Sequence, residues 1–295
     1  MTEYALHLAT LACIFVIAAV ALQLLVSQTG LLSVAQAVFM AIGSYSAALL
    51  TTRFGAPGVL EFLVAALAAL LVSLSISVPS LRLRNDYFAI ATFGLQMIAG
   101  GVLLNWTGVT NGAMGIANIK PLTLGGVSFQ SPYLFFVLVA ACASLAILCV
   151  ELVQASRFGL VLRAIRQDEL LAQALGKDTL RFKVKIVGLS AILTAISGVF
   201  YAHFLAYIDP SSFTLMDSVL LLAMVVIGGE SPLGAATGAI ILVLLPEALR
   251  FVGLPSALAA NLRQVVYGLL LVAVIAFRPR GLFVRNDARQ GKTAK

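Results

Sequence analysis

Apolar residues run in blocks of about 20 along most of the chain, separated by short polar or glycine-rich breaks. A helix rises ~1.5 Å per residue, so about 20 apolar residues cross a ~30 Å hydrocarbon core. Backbone groups in lipid must be satisfied within their own segment, so these blocks predict helices. Spans are expected near residues 5–26, 31–52, 57–78, 87–104, 132–151, 183–206, 213–228, 233–249 and 263–277. The alternation of a membrane β-barrel is absent. The expected fold is all-α, a polytopic membrane helix bundle of about nine spans. It forms one domain over residues 1–283, followed by a polar, disordered tail at 284–295.

Three interruptions refine this picture. The segment 31–52 follows Gly30, contains Gly43, and sets Ser33, Gln36, Ser44 and Ser46 among apolar residues, which predicts a broken or partly re-entrant helix. The two short blocks 213–228 and 233–249 flank Gly228, Gly229 and Pro232 and read as two tilted spans joined by a tight turn. The loop 105–131 is glycine-rich with one charge, Lys120, and is expected to pack on the outer face or dip into the mouth of the bundle. Gly94, Gly100, Gly188 and Gly198 are placed to let helices approach closely.

One stretch breaks the apolar pattern altogether. Residues 157–175 place Leu160, Ala164, Leu171 and Leu175 near one helical face, with Arg163, Arg166, Gln167 and Asp168 off it. Ser156 can cap its start and Gly176 suits a left-handed cap at its end. This predicts a single amphipathic helix within a loop at 155–182. Two roles fit it: a basic loop whose apolar face rests on lipid headgroups, or a docking helix whose ridge enters a groove on a partner.

Charge sets the orientation. The chain is 61% hydrophobic and only 11% charged, against roughly 25% charged in soluble domains. Its net charge of +7 is not spread evenly. Of 19 Lys and Arg, seven lie in residues 155–185 and six in 278–295; Arg82 and Arg84 form a third basic segment. Basic loops stay inside, so the C-terminus is expected in the cytoplasm and the N-terminus outside, with Arg53, Lys120, Arg250 and Arg263 in outer loops. The first block lacks a basic leader region and reads as a retained span. Cys13, Cys142 and Cys149 all lie inside apolar blocks, as small buried hydrophobes.

The chemistry available is that of dipoles. Ser33, Gln36, Ser44, Tyr45, Thr92 and Gln96 lie within spans, and Asn111 and Gly112 could form an outer lip. Such groups suit a path for a zwitterion, which needs dipoles and broken-helix backbone rather than a fixed charge that would trap it. They equally suit interhelical hydrogen bonds, worth about 0.6 kcal/mol each on average. Glu61, Glu151, Asp209, Asp217 and Glu247 sit near span ends, and His203 reads as a hydrogen-bonded interfacial histidine, so a proton relay is disfavoured. There is no phosphate-cradling G-x-x-x-x-G-K-[ST] loop, no metal-ligand spacing, and little for acid–base or nucleophilic work. The chain is expected to bind no cofactor or metal and to be no enzyme by itself. No nucleic-acid partner is expected.

The run GLVLRAIRQDELLAQALG resembles the cytoplasmic segment of branched-chain amino-acid ABC permeases, the LivH- and LivM-like subunits. That family's loop is similar to G-R-A-x-x-A-I-R-x-x-E-x-A-A-x-A-x-G and seats in the ATP-binding subunit. The likeness falls on Arg163, Ala164, Ile165, Arg166, Glu169, Ala172, Ala174 and Gly176, with departures at Leu160-Val161 and Leu171. GLLSVAQAVFMAIGSYSAALL at 30–50 resembles the family's broken second span; RLRNDYFAIATFG at 82–94, TNGAMGI at 110–116, MVVIGGESPLGAATGA at 224–239 and FRPRGLF at 277–283 are similar to further family stretches. Glu230 and Pro232 depart from the pattern, and the LivM-like subunit fits better than the LivH-like one.

The resemblance implies the permease subunit of an ATP-driven importer in a bacterial inner membrane, moving branched-chain or related amino acids. It implies as partners a second, similar permease, two ATP-binding subunits carrying ATP and magnesium, an extracytoplasmic solute-binding protein, and membrane lipid. The same machinery could move urea, short amides or another small polar solute. An ATP-independent secondary transporter or channel is the alternative of another class, and the docking helix discriminates against it.

Overall fold

The computed structural model describes residues 2–81 and 85–250. The expected span at 263–277, the basic pair Arg82 and Arg84, the FRPRGLF stretch and the tail at 284–295 lie outside them. The longest helices are α1 (Thr2–Thr29), α3 (Gly58–Ser80), α4 (Asn85–Asn105), α6 (Pro132–Ala155) and α9 (Thr179–Leu205). The others are α2 (Gln36–Leu49), α5 (Thr107–Thr110), α7 (Arg157–Gln167), α8 (Glu169–Ala174), α10 (Leu215–Gly228) and α11 (Pro232–Arg250). Seven of the described helical segments are long and apolar enough to cross a membrane, and α11 adds a shorter apolar stretch over Pro232–Leu245. The chain is thus a helical, polytopic membrane protein.

α1 lies at the centre, packed by α6, α7, α9, α10 and α11. From Val16 to Leu25 nearly all of its side chains are buried, including Gln23. α9 is the second axis and carries α2 and α3 on its flank. The outer helices show the opposite pattern. Only 17% of the apolar window of α4 and 22% of that of α3 are buried within the chain. Leu63, Leu67, Leu71, Ile90, Phe93 and Met97 face outward from them. Apolar faces of this extent are stable against lipid or another apolar surface, not against water.

The break before α2 has a local cause. Gly30 adopts φ +70°, which ends α1, and residues 31–35 are non-helical. α2 therefore starts only at Gln36 and runs on through a wide turn at Leu50–Phe54 to Gly55. The crossing of α2 and α9 is set by two glycines. A Cβ on Gly43 would overlap the Ala195 carbonyl, and one on Gly198 would overlap the Met40 carbonyl. Gly188 meets the flexible Leu70 side chain and, at 3.8 Å, Ser73 Oγ. Gly94 and Gly100 have no described residue within 4 Å: they lie on the sparsely covered α4, and the described helices make no close approach there.

α10 and α11 are separate helices joined by a turn at 229–231, with Gly228 and Gly234 backing directly on each other. The loop between α4 and α6 packs down as expected, with Ile119 and Leu122 buried. It contributes the two-residue strands β1 (Ile116–Ala117), β2 (Thr123–Leu124) and β3 (Val127–Ser128), and β1 pairs antiparallel with β4 (Tyr207–Ile208) after α9. The three cysteines are unpaired and half-buried rather than fully buried.

Candidate functional site

Where α2 begins, its first amides need acceptors, and Ala35 supplies no side-chain cap. Neighbouring helices supply them. The Val34 N–H donates to Thr92 Oγ1 on α4 (3.2 Å), and the Ala37 N–H donates to Ser218 Oγ on α10 (2.9 Å). Ser218 Oγ donates to Gln96 Oε1 (3.1 Å), and Gln96 Nε2 donates to the Phe213 carbonyl (2.9 Å). On the other side, Gln36 Nε2 donates to Ser190 Oγ (3.1 Å) and Thr194 Oγ1 (2.6 Å) on α9. Ser190 Oγ in turn donates to the Ala21 carbonyl of α1 (2.7 Å). Ser44 Oγ donates to the Gly198 carbonyl (2.7 Å).

Gln36, Thr92 and Gln96 thus lie in one buried polar seam around the start of α2; Ser33 is buried beside it, and Ser44 is buried two turns further along α2. Sequence reading missed the partners Ser190, Thr194 and Ser218, because a lone hydroxyl in an apolar helix carries no signal of what it faces. Tyr45 is 5% exposed, its ring lies against Phe213 (centroids 6.2 Å), and its hydroxyl has no hydrogen-bond partner among the described residues. Asn111 and Gly112 lie apart from the seam. Both take left-handed φ (62° and 58°), and Asn111 Nδ2 donates to the Gly115 carbonyl, shaping the loop that leads into β1. Replacing Gln36 by leucine removes two donated bonds and is expected to lower unfolding free energy by about 1–2 kcal/mol, read as a lower melting temperature in detergent.

At one end of the bundle stand α7 and α8. Ser156 Oγ accepts from the Gly159 N–H, as a cap should. The expected single helix is in fact two. Asp168 adopts an extended backbone (φ −151°, ψ 105°), ends α7, and accepts the Leu171 N–H to start α8. A carboxylate that bonds an amide three residues ahead competes with helix continuation, which is why aspartate breaks the run here. Gly176 (φ +77°) closes α8, with its own N–H on the Gln173 carbonyl and the Lys177 N–H on that of Ala172.

Leu162, Ile165 and Ala172 turn into the chain. Leu160, Ala164, Leu171 and Leu175 are all exposed, as are Leu170, Ala174 and Gly176, while Arg163 is half-buried. The charged positions hold the pair down. Glu169 Oε2 lies 2.7 Å from Lys183 Nζ, whose side chain is only 2% exposed at the start of α9. Arg166 Nη1 donates to the Ser27 carbonyl (2.5 Å), and its Nη2 faces Glu230 Oε1 at 3.5 Å. Behind them, Gln23 Nε2 donates to the Glu230 carbonyl and Gln154 Nε2 donates to Gln23 Oε1 (3.0 Å).

At the opposite end, His203 of α9 and Glu61 of α3 form a buried pair, Nε2 to Oε2 at 2.5 Å, with side chains 1% and 3% exposed. His203 Nδ1 donates to the Lys120 carbonyl (2.8 Å), and Thr51 Oγ1 donates to Glu61 Oε1 (2.8 Å). His203 is hydrogen-bonded, as expected, but enclosed. It lies at the wall of a cavity of about 410 Å³ shared with His7, Phe135 and Phe204. Nearby, Asp209 accepts from the Ser211 and Ser212 hydroxyls. Burial alone would raise the pKa of that carboxyl, but these hydroxyl bonds and backbone donors outweigh it and hold it below its usual value.

The arrangement has buried dipoles at its centre, exposed leucines on α7 and α8 at one end, and the buried Glu61–His203 pair at the other. The family model described as "Branched-chain amino acid transport system / permease component" matches residues 4–275. The chain is 30% identical over 319 residues to the high-affinity branched-chain amino acid transport system permease protein LivM of Escherichia coli, covering 97% of this chain and 73% of that protein. The corresponding protein of Salmonella typhimurium is 30% identical over 299 residues, 93% of this chain and 69% of its own length. A probable branched-chain amino acid transport permease protein LivM of Methanocaldococcus jannaschii is 27% identical over 237 residues, covering 76% of this chain and 67% of its own. No solved structure matches the chain. These matches cover nearly the whole bundle described above, and the chain therefore belongs to the branched-chain amino acid permease family, as a membrane component of a transport system rather than an enzyme.

Proposed function

We propose that this chain is one of two membrane subunits of an ATP-binding-cassette importer that moves branched-chain or related amino acids across the cytoplasmic membrane of a bacterium. The observation that carries this reading is the α7–α8 pair: an uncovered leucine ridge on helices otherwise pinned to the core. In a permease whose sequence carries no phosphate-cradling G-x-x-x-x-G-K-[ST] loop, such a surface is where force from an ATPase would enter. ATP and magnesium would be held by two such partner subunits. A second, similar permease would complete the membrane pair, and an extracytoplasmic binding protein would deliver the solute. On this reading α7–α8 and the C-terminus lie in the cytoplasm and the N-terminus outside, an orientation that the clustering of Lys and Arg along the sequence supports.

Within this reading, Ser33, Gln36, Ser44, Tyr45, Thr92 and Gln96 position α2 beside the solute path, with Asn111 and Gly112 at its outer lip. They offer hydroxyls and amides but no fixed charge, which favours passage over trapping. The test is uptake of labelled leucine in a strain lacking the native permease, alongside co-purification of the ATPase. Leu171→Glu with Leu175→Glu is expected to abolish both while leaving the melting temperature of the permease within about 2 °C, as surface substitutions usually do. Full uptake and assembly by that variant would defeat the docking role. Uptake of labelled urea instead of leucine would move the solute class.

A further inference from the structure

Arg166 belongs to the segment proposed to dock on an ATPase, yet its guanidinium points back into its own chain. One arm donates to the carbonyl of Ser27, in the last turn of α1, where helix carbonyls lack intrahelical partners. A cation there also meets the negative end of the helix dipole. The aliphatic stem lies alongside Gly30, the residue at which the chain breaks before α2: a Cβ there would stand 3.6 Å from Arg166 Cγ. The other arm faces Glu230, in the turn between α10 and α11, whose backbone carbonyl is held by Gln23. One side chain therefore touches the end of α1, the hinge leading to α2, and the α10–α11 turn. α7 is seated on the core by the buried Leu162 and Ile165, and α8 by Ala172.

We propose that Arg166 is a positioning residue that carries displacement of α7–α8 into the Gly30 break and the Glu230 turn, acting from within the chain rather than by contact with the ATPase. This rests on the importer reading above. The planar fork explains why arginine stands here: it can serve a carbonyl and a carboxylate at once, whereas lysine offers a single point of charge. Glu230, a departure from the family pattern, is the acceptor that completes the tie.

The experiment uses the whole transporter, reconstituted in liposomes with its ATPase subunits and binding protein, and reads leucine uptake per ATP hydrolysed. Arg166→Gln is expected to retain ATPase subunits at wild-type stoichiometry while uptake per ATP falls at least tenfold at unchanged KM for leucine. Arg166→Lys should recover part of that loss, and Glu230→Gln should lose about two- to threefold, since the ion pair is half-exposed. Loss of the ATPase from folded Arg166→Gln would make Arg166 a contact residue and overturn the proposal, as would unchanged uptake per ATP. If Arg166→Gln fails to fold, Arg166→Lys and Glu230→Gln decide by the same ratio. If the wild-type chain holds no ATPase at all, the importer reading itself falls, a failure visible before any variant is made.

Discussion

A permease carrying Gly43→Ala and Gly198→Ala is expected to lose most of its correctly folded yield, and the fraction that folds should melt roughly 5–10 °C lower in detergent. Each glycine backs directly on a carbonyl of the opposite helix, so an added methyl has no flexible side chain to push aside. The only relief is to part α2 from α9. Opening a packed crossing costs about 1–3 kcal/mol per added methyl. It would also stretch the Ser44 bond to the Gly198 carbonyl, and the Gln36 bonds to Ser190 and Thr194 lie on the same pair of helices. The two substitutions strain one gap, so the double variant should lose less than the sum of the singles. Gly94→Ala and Gly100→Ala are the controls: no described residue lies within 4 Å of either, so their melting should match or slightly exceed wild type, alanine being the better helix former. Equal damage from all four would show that the close approach of α2 and α9 is not what Gly43 and Gly198 provide.

The second large effect is expected at the Glu61–His203 pair. Glu61→Leu or His203→Leu alone should cost about 3–5 kcal/mol, because each leaves a buried polar group facing a hydrocarbon side chain. The double replacement should lie closer to wild type than either single, since neither member of the pair is then left buried opposite a hydrocarbon side chain. The Lys120 carbonyl and the Thr51 hydroxyl still lose a partner, so full recovery is not expected. A double-mutant cycle on thermal unfolding measures the coupling directly. Strict additivity would mean that the two groups do not stabilise one another.

Much of this architecture could be read from residues alone, for a physical reason. Lipid imposes length and apolarity on a span, and both are local quantities, so α1, α3, α4, α6 and α9 were legible to within a few residues. The break at Gly30 and the caps at Ser156 and Gly176 were legible too, since each follows from one residue's backbone or side-chain chemistry. Asp168 could have been found by the same logic: an aspartate followed by Glu169 in the next turn is an N-cap pattern, outweighed by the continuous amphipathic run. What was not legible is pairing. Glu61 and His203 stand 142 positions apart, and nothing in either neighbourhood names the other. Gln36 could be recognised as polar in a span, but Ser190 and Thr194 could not be recognised as its acceptors. Gly43 read as part of a break, yet it is a contact surface, whereas Gly94 and Gly100 read as contact surfaces and have no described residue against them.

The central position of α1 bears on how the chain is made. α1 is made well before the helices that enclose it: α9, α10 and α11 are synthesised some 170 to 210 residues later, as the separations of Ala21 from Ser190 and of Gln23 from Glu230 show. Until then Gln23 Nε2 lacks its Glu230 acceptor, although Gln154 of α6 can already bond Gln23 Oε1. Nascent chains halted before α10 should therefore remain protease-sensitive and bound to insertion factors, and the permease should mature in one late step rather than helix by helix.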